Sequence, residues 1–287
     1  MRFPLLAKAA AIGLVVLLLL AVLTQIDWLV SERRMRQAQA AASVEHSLAG
    51  AQTLLGPMLH RSCIEEWDEP VGEGKSRRLT TEKRDFMLTS TPARLQVSGE
   101  ARAEARYRGL YKVNGYAGPA HLEAQWPSLQ TMQAQREHKQ SRLRCGPVAV
   151  MLALSDVRGI RSVKVEIDGA ASAVRAGTLH PRYSRGLHAE LTESRAAQAD
   201  APLTVNVSLD LLGTARLALV PAADETTWAL KSDWPHPSFI GRFLPATREI
   251  GAQGFNASWT RSWPTAPHPR PRMASASTPW KSPSSTP

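Results

Sequence analysis

Leu203-Thr204-Val205-Asn206-Val207-Ser208-Leu209-Asp210-Leu211 alternates apolar and polar residues without a break. Successive side chains on a strand point to opposite faces, so this run makes one oily face and one wet face. Wound as a helix, it would scatter its apolar residues around the whole circumference. The same pattern recurs on both sides. Ser162-Val163-Lys164-Val165-Glu166-Ile167 alternates and ends in Asp168-Gly169, a turn dipeptide. Thr214 to Pro221, Arg94 to Ser98, Arg106 to Val113, His121 to Trp126 and Trp228 to Ser232 read as further strands, with Asn114-Gly115 as a hairpin signal. Val148 to Leu154 is continuously apolar, as a buried strand would be. About eight short strands with turn signals between them predict a mainly β domain, either a sandwich or an open antiparallel sheet. Neither a βαβ alternation nor a repeat of fixed length is present.

The N-terminus reads differently. Ala9 to Ile26 carries no charge and centres on Leu14-Val15-Val16-Leu17-Leu18-Leu19-Leu20. As a helix it spans about 27 Å, close to the thickness of a bilayer's hydrocarbon core. Trp28 suits the interface beyond it. Arg2 and Lys8 also resemble the basic start of a signal peptide, but Thr24-Gln25-Ile26-Asp27-Trp28 offers no small-residue cleavage site. The segment therefore reads as an uncleaved anchor over residues 9–29, after a short flank of residues 1–8. Residues 30–56 read as a helical exit from the membrane, with Glu32, Arg33 and Arg36 at helical spacing and Gly56-Pro57 as its stop. Residues 57–263 form the expected β domain, with Glu65 to Arg84 as a loop or hairpin. Residues 264–287 hold seven prolines and no Leu, Ile, Val or Phe. Such a tail cannot bury a core and is expected to be disordered.

Of 35 basic residues, 27 are Arg; the net charge is +10. The charge is spread along the chain without interleaved aromatic clusters, so nucleic acid is not an expected partner. Cys63 and Cys145 lie in no CxxC pair, which excludes the zinc and thioredoxin-like readings. They read as two unpaired, partly buried thiols, although an oxidising compartment would let them pair.

Eight histidines are present, and none forms HExxH or a spaced pair with an acidic neighbour. Nucleotide-binding loops and serine-nucleophile motifs are absent. No cofactor, metal or catalytic role follows, so the chain is not expected to be an enzyme. Asp156 and Arg158 read as a side-chain-to-backbone bond and a surface ion pair.

One stretch remains, Ser232 to Trp263: SDWPHPSFIGRFLPATREIGAQGFNASWTRSW. It packs Trp234, Pro235, His236, Pro237, Ser238 and Phe239 together. Gly241, Phe243, Leu244, Pro245, Gly254, Phe255 and Trp259 follow. His236, between two prolines, reads as part of a rigid turn; the rival reading is a loop that presents an imidazole to a ligand. The rings read as an aromatic layer of the β core with Trp234 well buried; the rival reading is a sugar- or lipid-binding face. This string closely resembles the CreD family of bacterial inner-membrane proteins, which is linked to cell-envelope integrity and colicin tolerance. Leu29 to Arg33, Gly50 to Leu59, Arg108 to Val113 and Ser155 to Ile160 resemble other pieces of that family in the same order.

The resemblance implies a non-enzymatic inner-membrane protein with a cytoplasmic N-terminus and a periplasmic β domain. It further implies a role in envelope or β-lactam stress responses, with envelope proteins or lipids as partners. The thirteen residues of the string are then a family signature of structural character. Two other functions are compatible with an anchored domain: a periplasmic hydrolase acting on envelope material, and a peripheral binder of anionic lipid or peptidoglycan. The resemblance also implies further membrane helices beyond the β domain, so the Pro/Ser-rich tail reads as a diverged or out-of-frame end.

Overall fold

The computed structural model describes residues 3–71 and 78–263. The expected tail, residues 264–287, lies outside the described residues. The apolar run is part of one continuous helix, α1 (Phe3–Ser47), which begins inside the expected flank. Its large apolar side chains from Ile12 to Val30 are all exposed, and nothing among the described residues packs on them. A helix that is apolar on every side and uncovered by protein is suited to lipid. Beyond the span, Arg36 bonds Glu32 one turn back at 2.5 Å.

Fifteen strands are found among the described residues. A first sheet contains β1 (Gln52–Val71), β2 (Arg78–Ser90), β5 (Arg142–Cys145), β6 (Ala149–Leu154), β9 (Arg175–Ala176), β10 (Gly186–Glu190) and β12 (Leu217–Val220). Its order is β12-β1-β6-β10-β9, with β2 and β5 also paired to the long β1. A second sheet contains β3 (Arg94–Arg108), β4 (Tyr111–Trp126), β7 (Ile160–Ile167), β8 (Ala170–Ser172), β11 (Leu203–Thr214), β13 (Glu225–Ser232), β14 (Thr247–Gly251) and β15 (Gly254–Ser262). Its order is β14-β15-β13-β3-β4-β11-β7-β8. A short helix, α2 (Glu193–Ala197), precedes β11.

Both sheets contribute to one core. Leu54, Leu59, Val150 and Leu152 come from the first; Leu95, Leu122, Val205 and Val207 come from the second. Each such side chain contributes about 1.5–3 kcal/mol when fully buried. The fold is therefore a sandwich rather than an open sheet. It is also mixed rather than antiparallel, because β1 runs parallel to β12 and β3 parallel to β13. Strand β11 alternates as its sequence requires, with Leu203, Val205, Val207, Leu209 and Leu211 buried. Strand β6 is buried throughout. Asp168 and Gly169 both have positive φ and turn β7 into β8, as a two-residue hairpin loop of this type demands.

Two local expectations are corrected and a third is narrowed. The exit helix stops at Ser47 and β1 starts at Gln52, so Gly56-Pro57 ends no helix. Instead it marks a shift of register between β1 and β6, where a proline without an N–H breaks the ladder. Asn114-Gly115 is not a turn but lies inside β4. The chain reverses at Gly109-Leu110, with Arg108 opposite Tyr111. Of the two readings of Glu65 to Arg84, a loop or a hairpin, the hairpin is found: β1 and β2 pair from Leu59 opposite Ser90 to Val71 opposite Arg78.

Candidate functional site

The signature string occupies the loop 233–246 and strand β15. Thr226, Trp228, Leu230 and Ser232 of β13 point to the same side as Val97 of β3, the side that faces the core. Trp259 pairs with Trp228 and stacks on it at 4.4 Å between ring centroids. Phe239 returns across that face and meets Phe255 and Trp259 edge-on at 5.5 and 5.7 Å. Arg261 lies over the rings of Phe243 and Trp263 at 4.5 and 4.2 Å, a cation–π arrangement. Gly254 is required at its position: its φ is +123° and a Cβ there would strike the Ser232 carbonyl.

The deep burial expected for Trp234 is not found. Trp234 is half-buried, and its indole N–H donates to the His236 carbonyl at 2.6 Å. His236 and Ser238 are exposed, and no hydrogen bond joins them among the described residues. Pro235, Pro237 and Pro245 are half-buried, whereas Gly241, Phe243 and Leu244 are exposed. The structure thus gathers Phe239, Phe255 and Trp259 into one cluster and places Phe243 beside it through Arg261. It leaves His236 outside.

A second set of residues is tighter, at the end of α1. Ala40 and Val44 are buried, and the helix packs against β3 and β4. Arg158 donates to the carbonyls of His46 (2.7 Å) and Glu45 (3.2 Å), which lie in the last helical turn. A helix leaves its last carbonyls unpaired and partly negative, so a guanidinium belongs there. Asp156 takes Arg158 with both oxygens and also accepts the Gly50 N–H at 3.0 Å. The Arg158 side-chain bond, more than the Gly50 and Arg158 N–H groups, holds the Asp156 carboxyl well below the usual carboxylate range.

The connection from Leu48 to Gln52 is fastened residue by residue. Thr214 binds the Ala49 carbonyl, Ser155 binds the Ala51 carbonyl, and buried Gln52 reaches the carbonyls of Asp156 and Leu212. Gly159 and Gly213 permit this approach, since a Cβ on either would collide with Gln52 or Tyr116. The backbone bond and ion pair read for Asp156 and Arg158 are both present; their contact with the end of α1 has no local signal in the sequence.

The cysteines correct another expectation. Cys63 and Cys145 are not free thiols but a disulfide, across paired positions of β1 and β5. They are 82 residues apart, and no sequence pattern shows that their strands are neighbours. Beside them Glu65 is wholly buried. It accepts the N–H groups of Glu137 and His138, the Ser141 hydroxyl and the Arg84 guanidinium, between 2.6 and 3.0 Å. Burial pushes this carboxyl up, but those donors outweigh it and hold it below the usual range.

A further group joins buried His60 of β1, His188 of β10 and His180 of the loop before it. Burial pushes His60 and His180 below the usual imidazole range. No set of three or more His, Cys, Asp or Glu groups is placed to hold a metal among the described residues. On its outer face the second sheet carries a groove of about 520 Å³, where Gln96, Ser98, His121, Asn206 and Ser208 present polar groups.

These features define a class: a membrane protein with an apolar N-terminal helix, long enough to cross a bilayer, that is fastened at its end to a disulfide-bonded β-sandwich. The chain belongs to the CreD family of inner membrane proteins. The family model described as inner membrane protein CreD matches residues 4–282. The inner membrane protein CreD of Escherichia coli (strain K12) is 30% identical over 264 residues, 92% of this chain. The chain spans 56% of the length of that relative.

Proposed function

We propose that this protein supports the integrity of the cell envelope from the inner membrane, as a non-enzymatic structural or signalling element. Its sandwich stands in the periplasm, and it acts under envelope or β-lactam stress. The observation that carries this reading is the fastening of α1 to the sandwich by Arg158, Asp156, Gln52 and Thr214. A linker that merely tethered the domain would need none of these bonds. A fixed joint transmits the orientation of the helix to the domain. The disulfide supports the periplasmic side, because such bonds persist in oxidising compartments. The signature string Ser232 to Trp263 supports the envelope role through its resemblance to the family.

Two experiments test the reading. Alkaline phosphatase fused after Trp263 should be active, which requires export. An inactive phosphatase with an active cytoplasmic reporter at the same site would reverse the orientation. In a strain lacking the native gene, the full chain should restore resistance to detergent and β-lactam stress. Arg158→Ala should restore it poorly while remaining in the membrane. Full restoration by Arg158→Ala would detach the function from the joint.

A further inference from the structure

The hairpin of β3 and β4 runs beyond the sandwich alongside α1. Its base is fixed by Gly115, which pairs with Thr214, and Thr214 binds the Ala49 carbonyl. Nearer its tip, Arg108 donates to Ser43 Oγ at 3.0 Å. The hairpin therefore travels down the helix from residue 49 toward residue 43, the direction of the membrane. From Gly115 to Tyr111 is about 13 Å of strand; from Ser47, the end of α1, to Ala40 is about 10 Å of helix, and the two residues up to Ala49 add a few ångströms, so the tip lies near the level of Ala40. From there to Leu29, where the apolar span ends, is about 16 Å. Headgroups occupy roughly 5–8 Å of that distance, a helix tilt of about 20° toward the hairpin lowers a tip about 10 Å from the axis by about 3 Å, and the remaining roughly 5–8 Å is within reach of an extended arginine or lysine side chain.

The tip has the chemistry of that location. Leu110 is 99% exposed at the turn and Tyr107 is 68% exposed. A leucine so fully exposed at the end of a projecting arm has no partner among the described residues. Arg108 and Lys112 flank it, residues 105–113 contain no acidic residue, and Arg106 stands beside them in an exposed ion pair with Glu104 that a phosphate group can replace. Arg33 and Arg34 of α1 lie exposed just above the span. Tyrosine favours the membrane interface, and long basic side chains reach down to headgroups.

We infer that the Arg106–Lys112 turn is a second membrane contact, a foot that rests on anionic phospholipid headgroups next to the anchor helix. The helix alone would leave the domain free to tilt and rotate about its exit point. With the foot, the basic residues engage phosphate groups, Leu110 faces the headgroup layer, and the sandwich is held at one angle to the bilayer. This inference uses the helix as a membrane span and does not depend on which side of the membrane the sandwich occupies.

The test uses the full chain in nanodiscs, made either of phosphatidylcholine alone or of phosphatidylcholine with phosphatidylglycerol. Leu110→Cys offers one free thiol, because Cys63 and Cys145 are paired. It is labelled with an environment-sensitive fluorophore, and Glu193→Cys, on the short helix at the opposite end of the sandwich, serves as the reference. In discs containing phosphatidylglycerol the Leu110 label should shift to the blue and be quenched by lipid carrying a shallow nitroxide, while the Glu193 label should not. Adding Arg106→Glu and Lys112→Glu should reduce the membrane-engaged fraction on the order of fivefold per basic residue removed. Quenching of the Leu110 label no stronger than that of the Glu193 label would overturn the foot. Equal quenching in both lipid compositions, untouched by the charge reversals, would overturn the assignment of anionic headgroups.

Discussion

Asp156 grips Arg158 with both carboxylate oxygens, at 3.0 Å to Nε and 2.6 Å to Nη2, and so aims the guanidinium at the last turn of α1. The pair matters less as an ion pair than as a bracket. Asp156→Asn weakens the hold on Arg158 and on the Gly50 N–H, and should cost about 1–2 kcal/mol. Arg158→Ala uncaps the helix end. Hydrogen exchange should then quicken at Leu48 to Gln52 while β6 and β11 keep their protection. Because the Asp156 carboxyl is held below its ordinary value, its contribution is fully present above about pH 4 and is lost as the pH falls further. Unchanged exchange at the joint in both variants would show that the bracket does not restrain it.

Glu65 is the second test of buried charge. Every oxygen contact is a donor, so Glu65→Gln aims amide hydrogens at N–H groups or removes one of the two carboxylates that hold Arg84, the other being Glu137. Leaving buried donors such as the Glu137 and His138 N–H groups poorly matched costs about 1–3 kcal/mol. Thermal unfolding should register a loss of that size. The segment around His138, which stacks on Trp67 at 3.9 Å, should loosen first.

The disulfide closes a long loop, and removing such a bond typically costs about 2–5 kcal/mol. Cys63→Ala with Cys145→Ala should lower the denaturant midpoint accordingly. Wild-type protein should lack free thiols until it is unfolded and reduced. Thiol labelling under native, non-reducing conditions would contradict the pairing of β1 with β5 at these positions.

The sequence revealed what depends on neighbouring residues. Alternation in Leu203 to Leu211 is a local property of a half-buried strand, and the structure reproduces it residue for residue. The apolar run of α1 is equally local. What depends on distant strands stayed hidden: the pairing of Cys63 with Cys145, the burial of Glu65, and the parallel neighbours of β1 and β3. Asn114-Gly115 misled for the same reason. Its turn preference is weaker than the register that β4 gains between β3 and β11. Within the signature string, the density of aromatic residues could be read but not their placement, since Phe239 reaches Trp259 only because the loop folds back.

That placement ranks the aromatic residues. Trp234 is half-buried and anchored by a single indole bond, so Trp234→Ala should cost roughly 1–2 kcal/mol, below the 3–5 typical of a fully buried tryptophan. Trp259→Ala strips rings from both Trp228 and Phe239 and should cost more. His236→Ala should leave stability nearly unchanged, because its ring is exposed. Chemical denaturation of the three variants gives the order directly, and a larger loss at Trp234 than at Trp259 would contradict it.

His60 gives the pH dependence a sign. Its ring is buried against His180, 6.1 Å away edge-on, with His188 also nearby. Burial is the main reason its folded pKa lies below the unfolded value of about 6.5, and the neighbouring imidazoles add to it. Arg182 acts on His180 in the same direction. A depressed imidazole pKa means that the unfolded chain binds the proton first. Stability is therefore full above about pH 6.5 and falls as the pH drops toward the folded pKa. The melting temperature should decline from pH 7.5 to pH 5, a range above that in which Asp156 and Glu65 titrate. His60→Phe keeps the ring and removes the charge, so its melting temperature should decline less over the same range. His60→Phe with His180→Phe should flatten the curve further. A wild-type curve that is flat between pH 7.5 and pH 5, or a His60→Phe curve as steep as wild type, would show that the buried imidazole takes its proton without cost.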